Sequence, residues 1–106
     1  MATSYPIENR QERVKTADEP LFETGRVVCT PPALEVLTDV DVAAALYSHV
    51  RGDWGDICRE DWERNEQSLR DGSRLLSAYH TADGIKFWVI TRSDRTFTGL
   101  MLLTED

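Results

Sequence analysis

Residues 73–81 (SRLLSAYHT), 85–91 (IKFWVIT) and 95–104 (RTFTGLMLLT) decide the fold of this chain. Each segment has the length of a strand, and turn residues separate the segments at 82–84 (ADG) and 92–94 (RSD). Connections this short join only antiparallel neighbours, because a crossover between parallel strands needs a dozen or more residues. The sequence therefore predicts an antiparallel meander of three strands.

The predicted meander is apolar on both faces. In its middle strand, Phe87 and Val89 alternate with Trp88 and Ile90, and the last strand is similarly apolar on both sides. A sheet that helices cover on one side normally shows polar residues on the other. Burying each such side chain stabilises the fold by about 1.5–3 kcal/mol, so the second face needs a cover. The candidates are the N-terminal arm, a second copy of the chain in a homodimer through the meander, and a target protein.

Upstream of the meander, the sequence predicts one strand and three helices. Residues 26–30 form a β-rich run that ends at two prolines. A short helix is predicted to follow, because prolines are tolerated in its first turn. Thr38 and Asp41 have the spacing of a capping box and predict the start of a second helix. Asp53 is the predicted cap of a third helix, which starts at Trp54 or after Gly55 and runs to Asp71, where Gly72 ends it.

These elements predict an α+β fold, in which an antiparallel meander of three to four strands carries two to three helices packed on one face. Residues 25–106 are its single domain. Residues 1–24 are polar, with apolar residues too sparse to form a stripe, and predict a mobile or loosely docked N-terminal arm. Leu21 and Phe22 are the expected anchor of this arm to the domain.

Composition excludes several classes of function. The chain has 106 residues and a formal net charge of −7, which gives room for one small domain and argues against direct binding of nucleic acid. No apolar run approaches a membrane span, and no signal pattern opens the chain, so we expect a cytoplasmic protein. The two cysteines lack the spacing of zinc or redox motifs, and we expect both to be buried. No metal or cofactor is predicted.

Acidic residues cluster between positions 53 and 71, where seven carboxylates oppose three arginines. Caps and ion pairs along the helix account for most of them, so we interpret the cluster as a solvated face that meets a protein partner. Trp54 lies between two glycines and is expected to be partly exposed, and Arg92 and Arg95 are further candidates for interface anchors. The predicted contact surface consists of Asp53, Trp54, Asp56, Glu60 and Glu63.

The alternative hypothesis is a small enzyme or metal-binding protein. Paired carboxylates with a histidine could perform acid–base chemistry or hold a divalent cation, and the candidate residues are His49, Asp53, Asp56, Asp61 and Asn65. Cys58 and His49 could form a nucleophile–base pair, although a buried thiol beside an unrelated histidine is the simpler interpretation. Asp61 and Asn65 have no obvious ion pair along the helix and could bond buried backbone of the 52–55 loop. No hydrolase, nucleotide or zinc-protease motif occurs, so no catalytic residue is predicted.

Several segments carry a resemblance to a known family. Residues 27–31 (VVCTP), 49–56 (HVRGDWGD), 74–79 (RLLSAY) and 88–91 (WVIT) resemble a family of small uncharacterised proteins of plasmids and other mobile elements. The likeness covers residues 25–105, and no activity is established for the family. It implies a mobile-element context, in which small acidic proteins act as anti-CRISPR or anti-restriction inhibitors by occupying a surface. We therefore expect a non-catalytic interaction protein whose target is a nucleic-acid-processing defence complex. A third hypothesis is an accessory subunit with an obligate partner.

Overall fold

A computed structural model describes residues 19–103 of the chain. Its elements follow the order β1 (Arg26–Cys29), α1 (Pro31–Val36), α2 (Asp39–Val50), α3 (Arg59–Asp71), β2 (Leu75–His80), β3 (Lys86–Thr91) and β4 (Phe97–Leu102). The predicted α+β class is therefore confirmed. Of the predicted arm, residues 1–18 lie outside the described part of the chain, as do residues 104–106.

The four strands form one mixed sheet in the order β1-β4-β3-β2. β2, β3 and β4 are antiparallel neighbours, as the short turns predict. β1 joins the sheet beside β4 but runs parallel to it, so the expectation of a purely antiparallel sheet is wrong. The long helical connection between β1 and β2 lets the chain cross the sheet and begin β2 in the direction of β1.

The core lies between α2 and one face of the sheet, which we call the inner face. Ala45 of α2 is buried against Phe87, Val89 and Leu100, and Leu46 packs beside this cluster. On the opposite, outer face, the register aligns Val28, Gly99 and Ile90 across three strands. The outer face also carries apolar side chains that are only partly buried, namely Trp88, Ile90, Phe97 and Met101. Both faces are therefore apolar, as the alternation predicts.

The ends of α2 and α3 show how far local signals determine the helices. The backbone N–H of Thr38 donates to the Asp41 carboxylate over 2.9 Å, and the N–H of Asp41 donates to Thr38 Oγ1 over 3.0 Å, so the predicted capping box is present. Gly72 ends α3 in the left-handed conformation, also as predicted. α3 begins only after Cys58, which makes no side-chain cap bond, so the assignment of Asp53 as its cap is wrong.

The segment before the first strand contacts the domain through the predicted anchor residues. The N–H of Leu21 donates to the carbonyl of Val50 at the end of α2 over 2.7 Å. The Phe22 ring lies edge-on to His49, with ring centroids 5.1 Å apart. Within residues 19–103, no helix is long and apolar enough to cross a membrane.

Candidate functional site

The loop that precedes α3 lies along the edge of β2 that faces away from β3. The N–H of Ala78 donates to the carbonyl of Trp54 over 3.1 Å, and the N–H of Asp56 donates to the carbonyl of Ala78 over 2.8 Å. Gly55, between them, has a φ of +77°, and a Cβ there would lie 2.0 Å from the Ala78 oxygen. Only glycine permits this approach, so the loop is fixed against the strand rather than wound into a helix.

Trp54 is fully buried, so the expectation that it is partly exposed is wrong. Its ring stacks on Phe22 at 6.2 Å and lies edge-on to His49 at 5.6 Å. Its indole Nε1–H donates to Glu66 over 2.9 Å, which satisfies the polar end of the ring. Because the backbone of the loop is hydrogen-bonded to β2, the Trp54 side chain packs against Phe22 and against His49 of α2 instead of facing solvent.

The other four residues of the predicted contact surface carry exposed carboxylates. Asp56 accepts hydrogen bonds from His80 over 2.8 Å and from Lys86 over 3.4 Å, and these contacts lower the pKa of its carboxyl group below the ordinary value. Glu63 pairs with Arg59 over 3.2 Å along the helix.

Asp53 and Glu60 form no ion pair with any other residue between positions 19 and 103. Because Glu60 and Glu63 lie three positions apart on α3, they share one side of the helix. The structure thus places the four carboxylates of Asp53, Asp56, Glu60 and Glu63 on the loop and on the beginning of α3.

An open groove of about 350 Å³ lies between α2 and the end of β2. Apolar and aromatic side chains line it, including Ala45, Phe87 and Tyr79, while Asp41 and Asp56 supply carboxylates. The Tyr79 hydroxyl donates to the carbonyl of Asp53 over 2.6 Å, and burial raises the pKa of this phenol far above its ordinary value. The groove therefore combines a largely apolar lining with two carboxylates, that of Asp41 from α2 and that of Asp56 from the loop before α3.

His49 lies in the core rather than on the flank of its helix. Its Nδ1 contacts the hydroxyl of Ser77, its Nε2 lies 2.9 Å from Thr91 Oγ1, and the side chain is fully buried. Burial, and then the positive charge of Arg95, lower the pKa of His49 from 6.5 to about 4. The ring is therefore neutral at pH 7.

The hydrogen bonds around His49 define which atom donates at each step. Thr98 donates its hydroxyl hydrogen to the carbonyl of Thr24, so it can only accept from Thr91, whose Oγ1 lies 2.7 Å away. Thr91 then has no hydrogen left for the histidine, so His49 Nε2–H is the donor and Nδ1 accepts from Ser77. Both ring nitrogens are occupied, and His49 cannot serve as a base for Cys58, whose thiol is exposed rather than buried as expected.

The residues of the alternative enzyme hypothesis are not brought together. Asp61 pairs with Arg64 over 2.8 Å, which corrects the expectation that it lacks a helix partner, because that partner lies three positions ahead rather than four. Asn65 is 3% exposed and does bond backbone groups, although they belong to the half-buried Leu76 of β2 rather than to the 52–55 loop. Within the described range, no three histidine, cysteine, aspartate or glutamate side chains approach closely enough to hold a metal ion.

Two features were missed by sequence reasoning. The chain of hydroxyls around His49 had a signal, since Ser77, Thr91 and Thr98 are polar residues at inner-face positions of otherwise apolar strands. Arg95, considered as an interface anchor, instead connects segments within the domain. It donates to the carbonyls of Ser73 and Arg92 over 2.7 and 3.0 Å. Its φ of 60° is unusual for a residue with a side chain and gave no signal in the sequence.

No family model, no curated protein and no solved structure matches the chain, so comparison with known proteins assigns it to no class. The resemblance to mobile-element proteins therefore stays a prediction. What the geometry defines is a small α+β domain with a fixed acidic loop beside an open groove.

Proposed function

We propose that the protein acts without catalysis, by binding another protein through an acidic surface formed by Asp53, Asp56, Glu60 and Glu63 together with the adjoining groove. The observation that carries the proposal is the exposure of these carboxylates, two on a loop that β2 holds in place and two on the beginning of α3. A surface that is ordered before binding loses little conformational entropy on association, which favours its use as an interface.

The chemistry of the surface indicates the kind of partner. Carboxylates beside an apolar groove complement a partner that presents basic side chains next to apolar ones. Proteins that process nucleic acids typically present basic side chains along the channels that hold the nucleic acid. The net charge of −7 would also speed the encounter with such a partner at low salt.

We therefore propose an inhibitor of a host defence complex, of anti-CRISPR or anti-restriction type, encoded by a mobile element and active in the cytoplasm. We propose no reaction, because His49 and Asn65 engage their polar atoms in contacts inside the domain and Asp61 pairs with Arg64 along α3.

The proposal is tested with purified restriction and CRISPR nucleases in DNA-cleavage assays. Wild-type protein should inhibit at least one nuclease, and the double variant Glu60→Lys/Glu63→Lys should lose that inhibition because it reverses the charge of the surface. The matched control is Glu35→Lys/Asp83→Lys, which changes the net charge equally at two exposed sites outside the acidic surface. The control should inhibit like wild type.

Equal inhibition by both double variants would refute the proposed surface. If no nuclease of the panel is inhibited by the wild-type protein, the assignment to this class of inhibitor fails. Circular dichroism of the variants establishes that each is folded before the assays are compared.

A further inference from the structure

The two edges of the sheet differ in whether their outward backbone groups are hydrogen-bonded. At the β2 edge, the outward N–H and C=O of Leu76 both bond to the Asn65 side chain, over 3.0 and 2.6 Å. The outward groups of Ala78 bond to the loop that carries Trp54 and Asp56. This edge has no room for a further strand at these positions, which is a common way of preventing edge-to-edge association.

Within residues 19–103, nothing pairs with the β1 edge, which is therefore open in the described part of the chain. The N–H groups of Arg26 and Thr30 donate to β4 and its preceding turn, each over 3.0 Å, so alternate residues of β1 face the sheet. Val27 and Cys29, between them, direct their N–H and C=O groups away from β4, where no residue in the described part of the chain bonds to them. Val27 and Val28 are 39% and 40% exposed.

We infer that a second copy of this chain pairs with the open edge, β1 against β1 in antiparallel orientation. With Val28 on the twofold axis, Val27 lies opposite Cys29 of the partner subunit, and Cys29 lies opposite the partner's Val27. These two pairs exchange four hydrogen bonds, which satisfies the outward N–H and C=O groups of both residues in both copies. The pairing ends at Pro31, which has no N–H to donate.

The sequence of β1 is suited to pairing with itself. An isologous contact requires that the same segment supply matched donors, acceptors and side chains on both sides. All three central pairs are apolar, and the register places Arg26 opposite Thr30 of the partner subunit, so the two arginines do not face each other. Like charges directly opposite would be unfavourable.

The outer face gives a further reason for a second copy. Val28 borders a groove of about 300 Å³ that is lined by Ile90, Phe97, Gly99 and Met101 as well. Pairing at Val28 places the grooves of the two copies side by side on one continuous eight-stranded sheet. This partly shelters the most exposed apolar residues of the sheet, and it locates the dimer contact at β1 rather than at the meander.

Disulfide trapping tests the register. In a Cys29→Ala/Cys58→Ser background, Val28→Cys should form a disulfide-linked dimer in a glutathione redox buffer, because facing residues of a non-hydrogen-bonded antiparallel pair lie close enough to be bridged. Val40→Cys in the same background is the matched control, since Val40 is 76% exposed yet lies on α2. Crosslinking at position 28 no faster than at position 40 would overturn the inference.

Sedimentation of the unmodified protein gives an independent measurement. Wild type should show a monomer–dimer equilibrium, and Val28→Lys should weaken it by at least about tenfold because two lysines would face each other on the axis. Val40→Lys should dimerise like wild type. A wild-type protein that remains monomeric up to about 1 mM, where even a weak interface is half occupied, would also overturn the inference.

Discussion

At the scale of single residues, four buried polar side chains of the core form one chain of hydrogen bonds. His49, Ser77, Thr91 and Thr98 are all fully buried, and each has a hydrogen-bond partner. An unpaired polar group in the core would cost about 1–3 kcal/mol of stability. Each of these side chains therefore depends on its neighbour for a hydrogen-bond partner. The stability of this chain of hydrogen bonds depends on a neutral imidazole, since a proton on Nδ1 would remove the acceptor for Ser77.

The buried histidine predicts a pH-dependent stability. Below pH 6.5 the unfolded chain binds a proton at His49, whereas the folded protein does so only near its pKa of about 4. The free energy of unfolding should therefore fall as the pH decreases from 6.5 to 4, by about 3 kcal/mol in total. Urea denaturation followed by tryptophan fluorescence at several pH values measures this change.

Two histidine variants test whether His49 causes this pH dependence. His49→Gln should be less stable at pH 7 but should show a much flatter dependence between pH 6.5 and 4. His80→Gln, which replaces the exposed histidine beside Asp56, should retain the wild-type slope. An unchanged slope in His49→Gln would contradict the assignment.

At the scale of elements, the sequence predicted best what neighbouring residues determine. The Thr38–Asp41 capping box and the glycine that ends α3 act within four positions along the chain, and both were predicted. The start of α3 was not, because the preceding loop bonds to Ala78, far away in sequence. Trp54 was misplaced for the same reason, since a local pattern cannot show which way a loop side chain turns.

The poorly capped start of α3 predicts a stabilising substitution. Cys58 occupies the N-cap with extended backbone but makes no side-chain cap bond. Cys58→Ser keeps the size of the side chain and supplies an oxygen that can accept from the first turn, so it should raise the free energy of unfolding by about 0.5–1 kcal/mol. Thermal and urea denaturation measure the gain.

Thr38→Ala provides the opposite comparison at a cap that is already formed. It removes the acceptor for the N–H of Asp41 and should lower stability by about 1 kcal/mol. If Cys58→Ser is neutral or destabilising while Thr38→Ala behaves as expected, the N-cap at position 58 does not limit the stability of α3.

At the scale of the whole molecule, the sequence predicted the layers but not the strand directions. The apolar character of both faces of β3 and β4 was predicted, because that pattern is local to each strand. The parallel pairing of β1 with β4 joins residues about seventy positions apart, and nothing in a four-residue strand specifies its direction. The same limit applied to the candidate site, where the carboxylates were predicted but the groove beside them was not.

The asymmetry between the two sheet edges predicts a pattern of hydrogen exchange. In dilute protein, the amides of Leu76 and Ala78 should exchange at least about a hundredfold more slowly than those of Val27 and Cys29, because only the first pair is hydrogen-bonded to residues between 19 and 103. Exchange measured by NMR residue by residue tests this, and raising the protein concentration should slow exchange at Val27 and Cys29 alone. Asn65→Ala should speed exchange at Leu76 without affecting β1. Protection of Val27 and Cys29 at a concentration where sedimentation shows only monomer would mean that another part of the same chain covers the β1 edge.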